Sequence, residues 1–76
     1  EYEVIEAEII ETSELINKEL KNADLPDEIK IGAVLRDSKV IIPRSDYIFK
    51  KNDIVVFIAK KDQIPLVENL FRISAV

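Results

Sequence analysis

Between Tyr2 and Ile10 apolar and acidic positions alternate: Ile5, Ala7 and Ile9 fall on one side, Glu6 and Glu8 on the other. A period of two marks a strand with one face buried. In "TSELINKELKNADLP" the period lengthens, with Leu15, Ile16, Glu19 and Leu20 at helical spacing. Thr12 or Ser13 can cap such a helix and Glu14 suits its first turn, so a short helix ending before Pro26 is predicted. It lacks a capping box, because Ile16 rather than Glu or Gln stands third after Ser13.

Alternation returns at Ile29, with Ile29, Ile31, Ala33 and Leu35 facing one way and Lys30, Gly32, Val34 and Arg36 the other. "RDSK" has tight-turn composition, and "VIIP" reads as a third strand ended by Pro43, so the pair predicts a hairpin. "RSDYIFKKND" connects to a fourth strand, Ile54 to Ala59; Asn52 suits a left-handed backbone and Asp53 an Asx-type turn. "KKDQIPLVENLF" predicts a second helix, with Asp62 as N-cap, Pro65 tolerated in the first turn, and Ile64, Leu66, Val67, Leu70 and Phe71 as its apolar face.

The order β-α-β-β-β-α predicts an α+β fold: a mostly antiparallel four-stranded sheet with two helices on one face. The fourth strand is apolar at every position and the third nearly so, and both faces of that part of the sheet therefore expect cover. Two helices cover one face only. A second copy of the chain, or another domain, is the expected cover for the other.

With 76 residues the chain has room for one domain over 1–76. A domain of this size buries only ~60% of the surface its unfolded chain exposes. No cysteine is present to staple it, which again favours an oligomer. Methionine is absent, so the chain is expected to be excised from a longer protein. A net charge of −4 argues against a nucleic-acid binder, whose affinity would rest on Lys and Arg. "IVVFIA" is far short of the ~20 apolar residues of a membrane span.

Histidine and cysteine are both missing, which removes the usual general base, thiol nucleophile and transition-metal ligands. Glu6 and Glu8 could pair as catalytic carboxylates, but nothing apolar surrounds them, and a solvated strand face is the plainer reading. Asp24, Asp27 and Glu28 lack the spacing and glycine of a calcium loop, so no metal site is expected. Gly32, the sole glycine, is expected to mark close approach of a neighbouring group. Arg36 and Arg44 bracket the hairpin near Lys39, Lys50 and Lys51: a weak anion site, or turn charge partly paired with Asp37, Asp46 and Asp53. Tyr47 and Phe49 are read as packing residues.

The run "IGAVLRDSKVIIPRSDYIFKKNDIVVFIAKKDQIPLVENLF" resembles the TrkA-C domain, or C-terminal RCK subdomain, of potassium-transport regulators. Arg36, Pro43, Arg44, Asp46 and Asp53 fall where the family has an Arg-ended strand, a Pro-Arg turn with Asp, and a Gly-Asp pair. The upstream strand and helix ending in "LP" also fit, so the resemblance covers nearly the whole chain. Ser38, Ser45 and Asn52 replace the usual turn glycines, and each is turn-compatible.

The resemblance implies a non-enzymatic regulatory domain, following a Rossmann-like nucleotide-binding domain on a cytoplasmic subunit held at the inner membrane face by a potassium transporter. It implies a homodimer and, as in some members, a small effector such as cyclic di-AMP at the dimer interface. Lys30, Ile31, Arg36 and Arg44 are the candidate ligand contacts, although the acidic residues Asp24, Asp27 and Glu28 nearby would repel phosphates. No cofactor is expected in this domain; NAD or ATP belongs, if anywhere, to the preceding one, because G-x-G-x-x-G is absent here. Two alternatives stay open. One is an assembly module of another cation or anion transporter with no ligand of its own. The other is a small enzyme working through a carboxylate such as Glu6.

Overall fold

The computed structural model describes residues 1–71; residues 72–76 of the expected domain lie outside the described residues. Strands β1 (Tyr2–Glu8), β2 (Ile29–Arg36), β3 (Lys39–Ile41) and β4 (Ile54–Lys60) form one sheet in the order β1-β4-β2-β3, and helix α1 (Ile64–Phe71) follows. All three pairings are antiparallel. The most apolar strand, β4, takes a central place with a hydrogen-bonded neighbour on each side, while the more polar β1 and the short β3 form the edges. The α+β class holds.

Residues paired across an antiparallel ladder share a face, so the register sorts the side chains. Ala7, Val34, Val55, Phe57 and Ala59 are buried on one face. With Ile9, Leu15, Ala23, Ile29, Phe49, Val67 and Phe71 they make a single core. Phe57 and Phe71 stack with ring centroids 5.2 Å apart, which fixes α1 over β4. Such a pair contributes about 1 kcal/mol beyond its buried area.

Strand β2 departs from simple alternation. Its register against β4 shifts between Ile31 and Ala33, so Gly32 is an extra residue and the parity flips there. Ile29 and Ile31 face the core as expected, but Val34 joins them, opposite Val55, and Ala33 and Leu35 turn to the other face beside Val56 and Ile54. Gly32 marks this bulge rather than a close approach. A Cβ there would sit 3.7 Å from the Val56 carbonyl oxygen, an ordinary contact, and the backbone has no left-handed φ.

The hairpin forms as expected. Asp37 and Ser38, with φ of 51° and 66°, are the two loop residues between the paired Arg36 and Lys39. Two positive φ values in a two-residue loop are the signature of a type I′ turn. Asn52 is left-handed too, at φ 74°. Of the three turn positions discussed above, Ser38 and Asn52 need this conformation and Ser45 does not.

The first predicted helix is replaced by turns and one 3-10 turn, Leu20–Asn22. Ser13 begins a helix locally, since its Oγ accepts the Leu15 N–H at 3.1 Å. Asn17 then turns left-handed, at φ 63°, and its N–H goes to the Phe49 carbonyl at 2.8 Å. The Leu20 and Lys21 N–H groups bond the carbonyls of Tyr47 and Ser45, so the donors of a continuous helix are used on a distant segment. Ser13 Oγ also donates to the Leu70 carbonyl at 3.1 Å, tying these turns to α1.

The second helix is present but starts differently. A 3-10 turn, Lys61–Gln63, leads into α1, and no side chain caps it, Asp62 included. Val67 and Phe71 are buried whereas Leu66 is exposed. A Gly32→Ala substitution should stabilise the domain by about 0.5 kcal/mol, because it restricts the unfolded chain without a native clash. Urea unfolding checks this, and a loss of 1 kcal/mol or more would refute the reading of Gly32.

Candidate functional site

Two features stand out, one on each side of the sheet. At the end of β2 the guanidinium of Arg36 grips Asp53 with both arms, Nε to Oδ1 and Nη2 to Oδ2, each at 2.8 Å. Nη2 also donates to the Tyr47 hydroxyl at 2.6 Å and to the Ile48 carbonyl at 3.0 Å. The Tyr47 hydroxyl in turn donates to Asp53 Oδ2 at 2.6 Å, and the Lys50 N–H reaches the same oxygen at 2.9 Å. Asp53 thus closes the loop back onto Lys50, and its own carbonyl accepts the Ile9 N–H.

Asp53 is only 1% exposed, so its charge needs these donors. Burial alone would raise its carboxyl, but the bonds from Arg36, Tyr47 and the Lys50 N–H hold it below the ordinary 3.8. Burial, followed by the bond to Asp53, pushes the Tyr47 phenol well above its usual range, which keeps it a donor. The bond to Asp53 likewise raises Arg36, against a smaller lowering by burial.

The opposite face of the sheet is apolar, and no element among the described residues covers it. Register places Val4 and Ile58 side by side, then Val56 with Ala33, and Ile54 with Leu35, which in turn pairs with Val40. Val4 is 71% exposed, Val40 67% and Ile58 43%, and Ile42, just beyond β3, is 71% exposed. Glu6 and Glu8 pair with Val56 and Ile54 on one margin, and Lys30 pairs with Ile58 on the other. This is a docking surface in composition: a contiguous apolar centre with charges at its rim.

The four candidate ligand residues are not gathered into one cluster. Lys30 is exposed on the open face; Ile31 is half-buried on the core face opposite Phe57. Arg36 is engaged with Asp53, as the pairing alternative for the turn charges expected, and Arg44 is exposed in the loop after β3. Sequence reasoning missed Tyr47 as part of the Asp53 knot. Its packing role is present as well, edge-on to Phe49 at 5.4 Å, but the hydroxyl carries the polar half of its work. Among the described residues no group of three or more acidic, His or Cys side chains could hold a metal ion. No helix among them is long and apolar enough to cross a membrane.

The sequence pattern of a family described as "TrkA-C domain" matches residues 4–72. The chain is similar to a Trk system potassium uptake protein TrkA of Azorhizobium caulinodans, 44% identical over 72 residues, covering 95% of this chain and 16% of that protein. The TrkA of Haemophilus influenzae is 37% identical over 67 residues, 87% of this chain and 15% of that protein. A TrkA homolog of Archaeoglobus fulgidus is 34% identical over 64 residues, 84% and 15% respectively. The chain therefore spans about a sixth of the length of these curated relatives. Among solved structures, the RCK_C domain dimer of S. agalactiae BusR in complex with c-di-AMP matches with a TM-score of 0.78 and 19% identity, covering 91% of this chain and 95% of that one. A structure of an RCK domain with cda matches with a TM-score of 0.74 and 17% identity, covering 90% and 96%. At such identities these two show the fold alone.

The Asp53 knot sets the acid limit of the fold. A carboxyl held low in the folded chain contributes fully above its unfolded value, near 3.8, and its contribution is lost as pH falls through the lower folded value. Stability should therefore fall by more in the natural chain than in Asp53→Asn as pH drops below 3.8 and toward the lower value of the folded state. Arg36→Met, which leaves the buried carboxylate without its main partner, should cost about 3 kcal/mol at pH 7. Urea unfolding at several pH values checks both.

Proposed function

The chain belongs to the TrkA-C domain family, and from that premise we propose that it is the regulatory and dimerisation domain of a potassium-uptake subunit. The observation that carries this reading is the apolar face spanning all four strands, which no element among the described residues covers, with Val4, Val40 and Ile58 exposed at its centre and edges. A second copy laid on that face removes apolar surface that a chain this short can ill leave in water. The mechanism is geometric. Ligand binding at the interface, or in a preceding nucleotide-binding domain, favours one arrangement of the two copies, and the attached transporter responds to that arrangement.

The reading places the domain in the cytoplasm, against the inner membrane face through its parent complex, with no reaction of its own to catalyse. It draws support from the names of the relatives and from the BusR fold neighbour, a dimer in complex with c-di-AMP. A nucleotide effector at the interface is the finer part of the proposal. Lys30 and Arg44, both exposed, are its positively charged contacts, with Ile31 and Arg36 shaping β2 behind them. Arg36 belongs to this set through its position more than through its Nε and Nη2 edge, which Asp53 occupies.

Sedimentation equilibrium over a wide concentration range, alone and with cyclic di-AMP or ATP, tests the proposal. A dimer is expected, tightened by one nucleotide, and weakened at least tenfold by Ile58→Asp, since a buried unpaired carboxylate costs more than the ~1.4 kcal/mol that tenfold represents. A monomer at all concentrations would remove the dimer reading. A dimer indifferent to both nucleotides would leave assembly as the domain's role and remove the effector from it.

A further inference from the structure

The rim charges of the open face are not distributed at random, and their placement assigns the way two copies meet. Along the β1 margin stand Glu6, beside Val56, and Glu8, beside Ile54. Across β4 and one row further along stands Lys30, beside Ile58. Between these opposite corners runs a diagonal apolar band from Val4 through Ile58, Val56 and Ala33 to Leu35 and Val40. None of the three charges has an ion-pair partner within the chain among the described residues: the pairs formed are Lys21 with Glu19, Arg36 with Asp53, Lys51 with Glu11, and Lys60 with Glu28.

Two identical sheets can pack face to face only about a two-fold axis lying in the plane between them. An axis along the apolar band lays the band on itself and carries each off-band corner onto the opposite corner. With strands about 4.8 Å apart and about 3.4 Å per residue, the partner's Lys30 then falls between Glu6 and Glu8, within about 4 Å of each when projected onto the sheet. An axis along the strands or across them sets the apolar band against itself less completely and leaves the charges without opposite-sign partners.

We propose that two copies of this chain associate through the open face about an axis along the Val4-to-Val40 band, with Lys30 of each copy seated between Glu6 and Glu8 of the other. The proposal rests on the dimer reading above and adds its register. The charge pairs lie at the rim, so they select this orientation over its alternatives while the band supplies the attraction. Lys30 is consequently shared between the partner's carboxylates and any anionic ligand that enters from that edge.

The test is charge exchange read by sedimentation equilibrium on the 76-residue chain. Lys30→Glu is expected to weaken the dimer at least tenfold, and Glu6→Lys with Glu8→Lys to weaken it comparably. The triple variant is expected to regain the natural association constant to within about threefold, since 1.4 kcal/mol corresponds to tenfold. All three positions are exposed, so circular dichroism and urea unfolding of the dilute variants should match the natural chain. Lys51→Glu, in the loop before β4, serves as the control for net charge. Weakening without rescue in the triple variant, or no weakening in either set, overturns the register while a natural dimer leaves the dimer reading standing; a natural monomer overturns both.

Discussion

A carboxylate that is almost wholly buried dictates much of this fold. Asp53 can be charged there only if donors meet both of its oxygens, and they come from β2, from the loop before β4 and from the backbone of Lys50. The attraction need not favour folding greatly, because desolvating the buried carboxylate costs several kcal/mol. What it does is exclude other arrangements: the end of β2, the aromatic loop and the start of β4 must converge for the charge to be tolerated. The next bonds follow from that convergence. Ile9 pairs with the Asp53 and Asn52 backbones, and the same loop takes up the N–H groups of Asn17, Leu20 and Lys21.

The strands were legible because each carries its own signal: alternation in β1, a continuous apolar run in β4, and a turn composition between β2 and β3. The helix over residues 13–25 was not, since Ser13 and the spacing of Leu15, Ile16 and Leu20 satisfy helical rules up to the point where Asn17 turns left-handed. The competing partners lie near residues 45–49, and no local window contains them. The parity flip in β2 has a similar cause. Gly32 signals an irregularity, yet a bulge and a close approach leave the same trace in sequence, and only the register against β4 distinguishes them.

Of the candidate site, the apolar face was legible in the runs of β3 and β4, and its ligand contacts were not. Lys30, Ile31, Arg36 and Arg44 are candidate ligand contacts only through a resemblance, and the chain disperses them over two faces and a loop. Arg36 and Asp53 are also among the positions on which that resemblance rests, and here they hold the backbone together. Recognition of the family therefore reports an architecture first. A ligand would have to be read from the face those residues support, where β-strand side chains diverge toward solvent.

A dimer formed on the open face would link the two sides of the sheet thermodynamically although they share no side chain. Any second copy that binds only the folded chain adds stability by mass action, in proportion to its free concentration over the dissociation constant. A core built around one stacked aromatic pair and a half-buried ion pair leaves a small margin for a chain of 76 residues. Association on the open face would supply the remainder, and the Asp53 knot would preserve the strand register on which the proposed pairing of that face depends. Loosening the knot should then be felt most strongly in dilute solution, where the partner no longer contributes. If the proposed dimer forms, the knot fixes the shape that the open face uses.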